Sequence, residues 1–342
     1  MEERKKALVV GMAKSGIGAA KLLCRHGYHV IINDQKAHIP GLDEALAGYQ
    51  VEDRLGEDPA TLLAGVDMLV PSPVIPLSTP FIRKARAEGV EIVPEIELGY
   101  RHAAADFVCI TGTNGKTTTT YMVKAIAEQA GKKVGIIGTI RNMIGSESLH
   151  TDRTTPESVD LFRLLRTMAD ARVDLVVMEV SSHALEQYRV HGIKFDVALF
   201  TNLTQDHLDY HKTFENYLQA KKTLFLNAKR AVVNVDDPHA DRIMAGLSIP
   251  ILTFGVRDRA DISASDIDIT TRGVQFDLHT PAGDVRMNLP IPGLFSVFNA
   301  MGAVGMAQAI GIRLSAIKEG LESMTSCLLY TSPSPRDSTS SR

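Results

Sequence analysis

Cysteine is scarce in this chain. Cys24, Cys109 and Cys327 are three in 342 residues, an odd number with no metal-ligand spacing. A disulfide framework is thereby excluded, and a reducing compartment is expected. Charge of one sign is missing as well. The 37 Lys and Arg stand against 40 Asp and Glu, for a formal net charge of −3. No broad basic field exists to hold nucleic acid or an anionic membrane. No apolar run reaches the ~20 residues that a spanning helix needs, so membrane insertion is not expected. The opening Met1-Glu2-Glu3-Arg4-Lys5-Lys6 leads into a short strand rather than an apolar leader. These absences describe a cytoplasmic protein, with length for two domains or a little more. A monomer is expected.

What is present is a lysine-bearing bend. Cys109-Ile110-Thr111-Gly112-Thr113-Asn114-Gly115-Lys116-Thr117-Thr118-Thr119-Thr120 leaves an apolar strand (Phe107, Val108, Ile110) through a glycine-punctuated turn. Met122, Val123, Ile126 and Ala130 then recur at helical spacing. Strand, turn and helix start make a phosphate cradle. Backbone N–H groups and the positive helix end face the anion, and Lys116 adds a mobile charge. Thr117 stands where its hydroxyl can reach a Mg2+ held by the same phosphates. The bend is shorter than an ordinary G-x-x-x-x-G-K-[ST] loop. Four threonines in a row are poor helix formers, so stability alone does not explain them. Gly112, Thr113, Asn114, Gly115, Lys116, Thr117 and Thr118 are therefore candidate phosphate-binding residues.

The first hundred residues alternate strands and helices. Ala7-Leu8-Val9-Val10 reads as a buried parallel strand, and Gly11 to Gly18 turns into a helix carrying Ala20, Leu22 and Leu23. A second strand over 28–32 ends beside Asp34, where an acid meets a ribose hydroxyl in dinucleotide folds. The fingerprint G-x-G-x-x-G is absent, because Ala13 holds the middle glycine's place. That disfavours a dehydrogenase and leaves room for another nucleotide. A strand over 67–70 runs into the rigid loop Pro71-Ser72-Pro73-Val74-Ile75-Pro76. Ser72 thus sits at a strand's carboxyl end, where ligands collect in open α/β sheets. A helix over 79–88, a strand over 91–93 and an alanine-rich joint over 101–106 complete a Rossmann-like domain, 1–105.

The α/β pattern continues from 106 to 325 as a P-loop ATPase-type domain with a mostly parallel sheet. A strand over 133–137 precedes a polar loop over 138–155 that is expected to be mobile. Thr154-Thr155-Pro156-Glu157 starts a helix, with proline in the first turn where no N–H is needed. The apolar strand 174–180 delivers Glu179 at its carboxyl end, followed by Ser181-Ser182-His183. Another strand, 195–200, leads into the polar run 201–211, and a helix over 213–226 carries Lys221. Glu179, His207 and Thr117 are candidate ligands of a Mg2+ bridging nucleotide phosphates. His211 and Asp209 read as loop polar groups.

These residues resemble the Mur ligases of peptidoglycan synthesis. Thr111 to Thr120 is similar to their ATP loop. Thr154-Thr155-Pro156-Glu157-Ser158, Met178-Glu179-Val180-Ser181-Ser182-His183-Ala184-Leu185 and the run 200–211 resemble one branch in particular. That branch adds meso-diaminopimelate or L-lysine to UDP-N-acetylmuramoyl-L-alanyl-D-glutamate, and the similarity extends over about 107–325. The resemblance implies that Thr154, Thr155, Ser181, Gln187 and Arg189 hold the UDP-muramoyl-peptide. It implies that Thr117, Glu179 and His207 bind Mg2+, that Asn299 approaches the adenine, and that Lys221 is carried as a carbamate. Lys116, His207 and Lys221 are then the catalytic residues. Arg153 stands where the family usually has asparagine and receives no substrate role. Residues 1–105 resemble instead the UDP-binding domain of the D-glutamate-adding branch, through Gly11 to Gly16, Asp34, Ser72-Pro73 and Glu95-Ile96-Glu97-Leu98. Ser15, Asp34 and Ser72 become candidate substrate contacts. The two resemblances meet at 110–117, the run that both branches share, as recombination or a join between two genes in assembly would leave them.

The implied reaction passes the γ-phosphoryl group of ATP to the free carboxylate of the UDP-muramoyl-peptide. An amino acid's amine attacks the acyl phosphate, and phosphate leaves. Two anions must meet, so the burden is electrostatic and falls on Mg2+, Lys116 and the loop N–H groups. His207 or a neighbouring carboxylate is a candidate acceptor for the amine's proton. Beyond Met324 periodicity is lost. The Ser/Pro/Arg-rich stretch 326–342 is expected to be non-native and disordered, and it stands where the family's amino-acid-capturing third domain begins. The 342-residue chain is accordingly expected to bind ATP without ligating. Two other readings stay open, the D-glutamate-adding ligase and a nucleotide-binding module without ligase activity.

Overall fold

The computed structural model describes residues 4–72, 75–76, 78–94, 97–98, 105–149, 151, 153–204, 208–256 and 260–324. Contacts divide the chain into two units. One is Met1–Ala103 with the short pieces Glu157–Thr167 and Val190–Ile193; the other is Ala104–Pro156 with Met168–Arg189 and Lys194–Arg342.

In the first unit β1 (Lys6–Val10), β2 (His29–Asn33), β3 (Val51–Asp53), β4 (Met68–Pro71) and β5 (Glu91–Ile92) form one parallel sheet. Strand order is β3-β2-β1-β4-β5. Alternation sends the side chains of β1 to opposite faces. Ala7 and Val9 join Ala19, Ala20 and Leu23 of α1 (Lys14–Arg25). Leu8 and Val10 join Phe81, Ile82 and Ala85 of α2 (Pro80–Ala87), which opens on a proline that needs no N–H partner. A sheet covered on both faces explains why its strands are continuous apolar runs. The order reverses between β1 and β4, and the crevice at such a reversal is where open α/β sheets take ligands.

The second unit is built on eleven strands. They are β6 (Asp106–Thr111), β7 (Val134–Ile137), β8 (Asn142–Ile144), β9 (Glu147–Leu149), β10 (Leu175–Glu179) and β11 (Val197–Phe200), then β12 (Ala231–Asn234), β13 (Ile251–Gly255), β14 (Ile262–Thr270), β15 (Gly273–Thr280) and β16 (Gly283–Leu289). Their order is β16-β15-β14-β13-β12-β11-β6-β10-β7-β8-β9. Pairing is parallel from β14 across to β7 and antiparallel in the hairpins at either end. β6 lies between β10 and β11, with Ile110 level with Glu179 and Thr111 level with Phe200. Three carboxyl ends therefore meet side by side.

Helices α3 (Lys116–Gln129), α5 (Ser182–Glu186), α6 (Phe214–Lys222), α7 (Leu294–Ala309) and α8 (Leu314–Glu322) follow the strands, while α4 (Ser158–Asp170) falls for most of its length in the first unit. Val108 and Ile110 of β6 pack with Met122 and Ile126 of α3, Met301 and Val304 of α7, and Ile317 and Leu321 of α8. No helix among the described residues is long and apolar enough to cross a membrane.

Three local expectations need correction. The span 138–155 is not all loop, because β8 and β9 form a hairpin turning at Gly145, whose φ is 59°. Three-residue strands leave no alternation long enough to read. Helix α6 ends at Lys222 rather than 226, and a short 3-10 turn, Phe225–Asn227, takes over. The antiparallel extension β14–β16 was not expected. The proposed tail 326–342 and positions Pro73, Glu95, Ile96 and His207 lie outside the described residues.

Helix α8 crosses α3 at Gly320. A Cβ there would stand 2.6 Å from Ile126 Cα and 2.9 Å from Ala125 O. Backbone cannot swing aside as a side chain can, so Gly320→Ala is expected to destabilise by ~1–3 kcal/mol. Urea unfolding checks it. The midpoint should fall with an unchanged m-value, and an unchanged midpoint would contradict the close crossing.

Candidate functional site

The bend after β6 is shaped by what surrounds it. Gly112 has φ 147° and Gly115 φ 85°, both in the positive region that side chains disfavour. A Cβ on Gly112 would overlap Thr201 Oγ1, and one on Gly115 would overlap Asn299 Oδ1. The carboxyl end of β11 holds the bend from one side. Thr113 N donates to Asn202 O (2.9 Å), Asn114 N to Asn202 Oδ1 (2.9 Å), and Thr201 Oγ1 to Asn114 O (2.7 Å). Lys116 starts α3, where the first-turn amides have no partner within the helix. Its Nζ folds back to Gly112 O and Thr113 O, each at 3.0 Å.

Lys221 arrives at the same place from α6. It is 2% exposed, its Nζ donates to Gly112 O at 2.9 Å, and it stands 4.6 Å from the centre of the Tyr217 ring. Two ammonium groups thus share one carbonyl oxygen. Tyr217 adds its hydroxyl, 3.2 Å from Thr113 Oγ1.

Glu179 closes the other side. The last residue of β10, it is 1% exposed. Its carboxylate accepts from Thr117 Oγ1 (3.0 Å), Thr139 N (3.1 Å) and Thr139 Oγ1 (2.9 Å). Thr139 Oγ1 also meets Thr154 Oγ1 at 3.0 Å. A Cβ on Gly138 would overlap Glu179 Oε1, so glycine there lets the carboxylate lie against the backbone. Burial pushes the Glu179 carboxyl above its usual range. The Thr139 amide and hydroxyl, the Lys116 charge and the Thr117 hydroxyl pull it partly back.

A hydroxyl and a buried, incompletely neutralised carboxylate beside a phosphate cradle form a hard-oxygen pair that fits Mg2+. That ion keeps several waters and needs only one or two carboxylates when phosphates supply the rest. Among the described residues no three His, Cys, Asp or Glu gather as a metal cluster of their own.

The peptide-side candidates lie next to this pair, largely bonded to each other. Thr155 Oγ1 donates to Glu179 O (2.9 Å) and accepts from Ser181 N (3.2 Å). Arg189 Nη1 donates to Thr155 O (3.0 Å), its Nη2 meets Gln187 Oε1, and Gln187 Nε2 donates to Tyr210 OH (3.1 Å). Ser181 caps α5 by accepting from Ala184 N. In the first unit, Ser15 and Ser72 are buried near the reversal between β1 and β4. A Cβ on Gly11 would stand 2.6 Å from Ser72 Cβ. Asp34 accepts from Met12 N (2.8 Å) and Lys36 N (3.0 Å), which ties the two βα turns together.

A cavity of about 400 Å³ opens beside the bend, lined by Asn114, Gly115, Thr118 and Asn299 together with Asn234, Asp236, Phe295 and Phe298. Its size suits a nucleoside. The last four residues were missed in the sequence, where nothing but the run around Asn299 pointed toward them. Phe295 is 82% exposed at the rim. A larger cavity, about 490 Å³, opens at the amino ends of β12 and β13 and touches none of the candidate residues.

Comparison with known proteins gives the chain's family. Residues 110–307 match the Mur ligase middle domain, and residues 5–94 match the MurD-like N-terminal domain of Mur ligases. The chain is 48% identical over 217 residues to a UDP-N-acetylmuramoyl-L-alanyl-D-glutamate–2,6-diaminopimelate ligase of Clostridium botulinum. That match covers 64% of this chain and 45% of the relative. A ligase of the same description from Bacillus velezensis is 39% identical over 291 residues, covering 82% and 59%. The chain thus spans about half the length of these curated relatives. Among solved structures, one UDP-N-acetylmuramoyl-L-alanyl-D-glutamate–2,6-diaminopimelate ligase superposes with a TM-score of 0.61 at 24% identity, covering 95% of this chain and 61% of that one. MurF from Acinetobacter baumannii gives 0.58 at 20%, with the same coverages. These two likenesses show the fold.

The raised Glu179 pKa has a consequence for the ligand-free protein. The folded chain holds this proton to higher pH than the unfolded chain does. Its contribution to stability is therefore full below about pH 4.5 and is lost as pH rises through the native value. Urea unfolding of the wild type and of Glu179→Gln, from pH 4.5 to 8 without nucleotide, reads it. The variant should gain on the wild type as pH rises, and a flat difference would contradict the assignment.

Proposed function

The chain belongs to the Mur ligases, and from that premise we propose that it takes part in ATP-dependent amide-bond formation on a peptidoglycan precursor. The proposed reaction joins a diamino acid, meso-diaminopimelate or L-lysine, to UDP-N-acetylmuramoyl-L-alanyl-D-glutamate through an acyl phosphate. The observation that carries it is the 3.0 Å bond between Thr117 and buried Glu179, next to the Lys116 bend.

Lys116 and the first-turn amides of α3 bind and orient the polyphosphate. Thr117 and Glu179, with His207 as the family resemblance implies, would hold Mg2+, which would neutralise phosphate oxygens. The nucleoside fills the cavity beside Asn299. A polyphosphate would bring its negative charge to Lys116, and a carbamate on Lys221 would give the metal an anionic support. Thr154, Thr155, Ser181, Gln187 and Arg189 take the muramoyl-peptide, while Ser15, Asp34 and Ser72 take the UDP end. The match of 5–94 to a MurD-like domain favours one second reading, a ligase that adds D-glutamate to UDP-N-acetylmuramoyl-L-alanine.

Calorimetry tests the assignment. The chain should bind MgATP and UDP-N-acetylmuramoyl-L-alanyl-D-glutamate. Lys116→Ala should weaken MgATP at least ~10-fold, the worth of one charge-assisted hydrogen bond. Full MgATP affinity in that variant would overturn the loop assignment. Preference for UDP-N-acetylmuramoyl-L-alanine over the dipeptide form would favour the second reading.

A further inference from the structure

Helix α5 is a single turn between two peptide-side candidates, with Ser181 before it and Gln187 after it. One turn of helix does not hold itself together. The support comes from two adjacent residues, Tyr210 and His211. His211 is 1% exposed. Its Nε2 lies 2.9 Å from Ser182 Oγ, and its Nδ1 lies 2.8 Å from Glu186 Oε2, a close contact without hydrogen-bond geometry. Ser182 and Glu186 are four residues apart and share a face of the turn. One imidazole therefore spans α5 from its first residue to its last.

Tyr210 takes the next residue, accepting from Gln187 Nε2. His211 is itself anchored. Its carbonyl accepts from Thr213 N (2.8 Å) and Asn216 Nδ2 (3.0 Å). Its ring lies 5.2 Å from that of Tyr217, whose hydroxyl reaches Thr113. A serine, a histidine and a carboxylate in series also describe a hydrolase triad. Ser182 is 2% exposed, however, and lines neither cavity described above. A support fits this setting and a nucleophile does not.

We propose that His211 is a positioning residue for the muramoyl-peptide. By clamping α5 through Ser182 and Glu186, it sets Ser181 and Gln187 in place to receive that substrate. The clamp's purpose rests on the muramoyl reading given above. The clamp requires the tautomer with the ring proton on Nδ1, facing the Glu186 carboxylate, which leaves Nε2 to accept from the Ser182 hydroxyl.

Two measurements on the full 342-residue chain test it, in the wild type, Ser182→Ala, Glu186→Gln and His211→Gln. The first is imidazole ¹⁵N NMR at pH 8, with the His211 signal assigned by its loss in His211→Gln. The second is calorimetry with UDP-N-acetylmuramoyl-L-alanyl-D-glutamate and, separately, MgATP. The wild type should show one neutral tautomer at His211, protonated on Nδ1. Glu186→Gln should lose that tautomer preference. Glu186→Gln and Ser182→Ala should bind the dipeptide about tenfold more weakly, with MgATP within twofold of wild type. Glu186 is half-exposed, so its variant carries the test even if His211→Gln does not fold.

Unchanged dipeptide affinity in both variants would overturn the proposal. So would equal losses for both ligands, which would mark a general structural role. A wild type that binds the dipeptide with mixed tautomers at His211 overturns the clamp alone. A wild type with the Nδ1 tautomer but no dipeptide binding overturns the muramoyl reading, and the clamp's purpose with it.

Discussion

A carboxylate sealed inside the protein at the end of a strand is the constraint on which the second unit depends. Removing a charge from water costs several kcal/mol unless partners answer it. Glu179 is answered by the Thr117 hydroxyl, by the amide and hydroxyl of Thr139, and by the nearby charge of Lys116. Burial still wins, since its pKa remains above the ordinary range. An apolar residue would serve stability better at this point. An acid held in this way makes sense as half of a cation site, where stability is given up for binding.

The sheet order makes the arrangement possible. β6 lies between β10 and β11, and parallel pairing aligns their carboxyl ends. Residues far apart in the chain then press on one bend from several directions, with Glu179 and Thr117 on one side and Thr201, Asn202 and Asn299 on the other. Gly112 and Gly115 follow from that crowding, because any side chain at either position would overlap a neighbour.

Much of this was legible in the sequence for physical reasons. A strand covered on both faces leaves an unbroken apolar run, and an acid closing such a run, as Glu179 does, is conspicuous. A bend that needs positive φ leaves glycines. Other features leave no local mark. The hairpin β8–β9 is too short for a period to show. The burial of Lys221 depends on a packing partner more than a hundred residues away, at Gly112. His211 looked like a polar group in a loop, yet it is buried and spans α5, because that role is written in tertiary contacts alone. Asn234, Asp236, Phe295 and Phe298 come from separate elements and meet only where the cavity forms.

The central claim is that Thr117 and Glu179 act as one unit on a nucleotide-bound metal. A double-mutant cycle on MgATP affinity, measured by calorimetry with Thr117→Val, Glu179→Gln and the pair, tests it most directly. The account expects the pair to bind no more weakly than the worse single variant, because either change already breaks the shared site. Losses that simply add would show two independent residues and would contradict it.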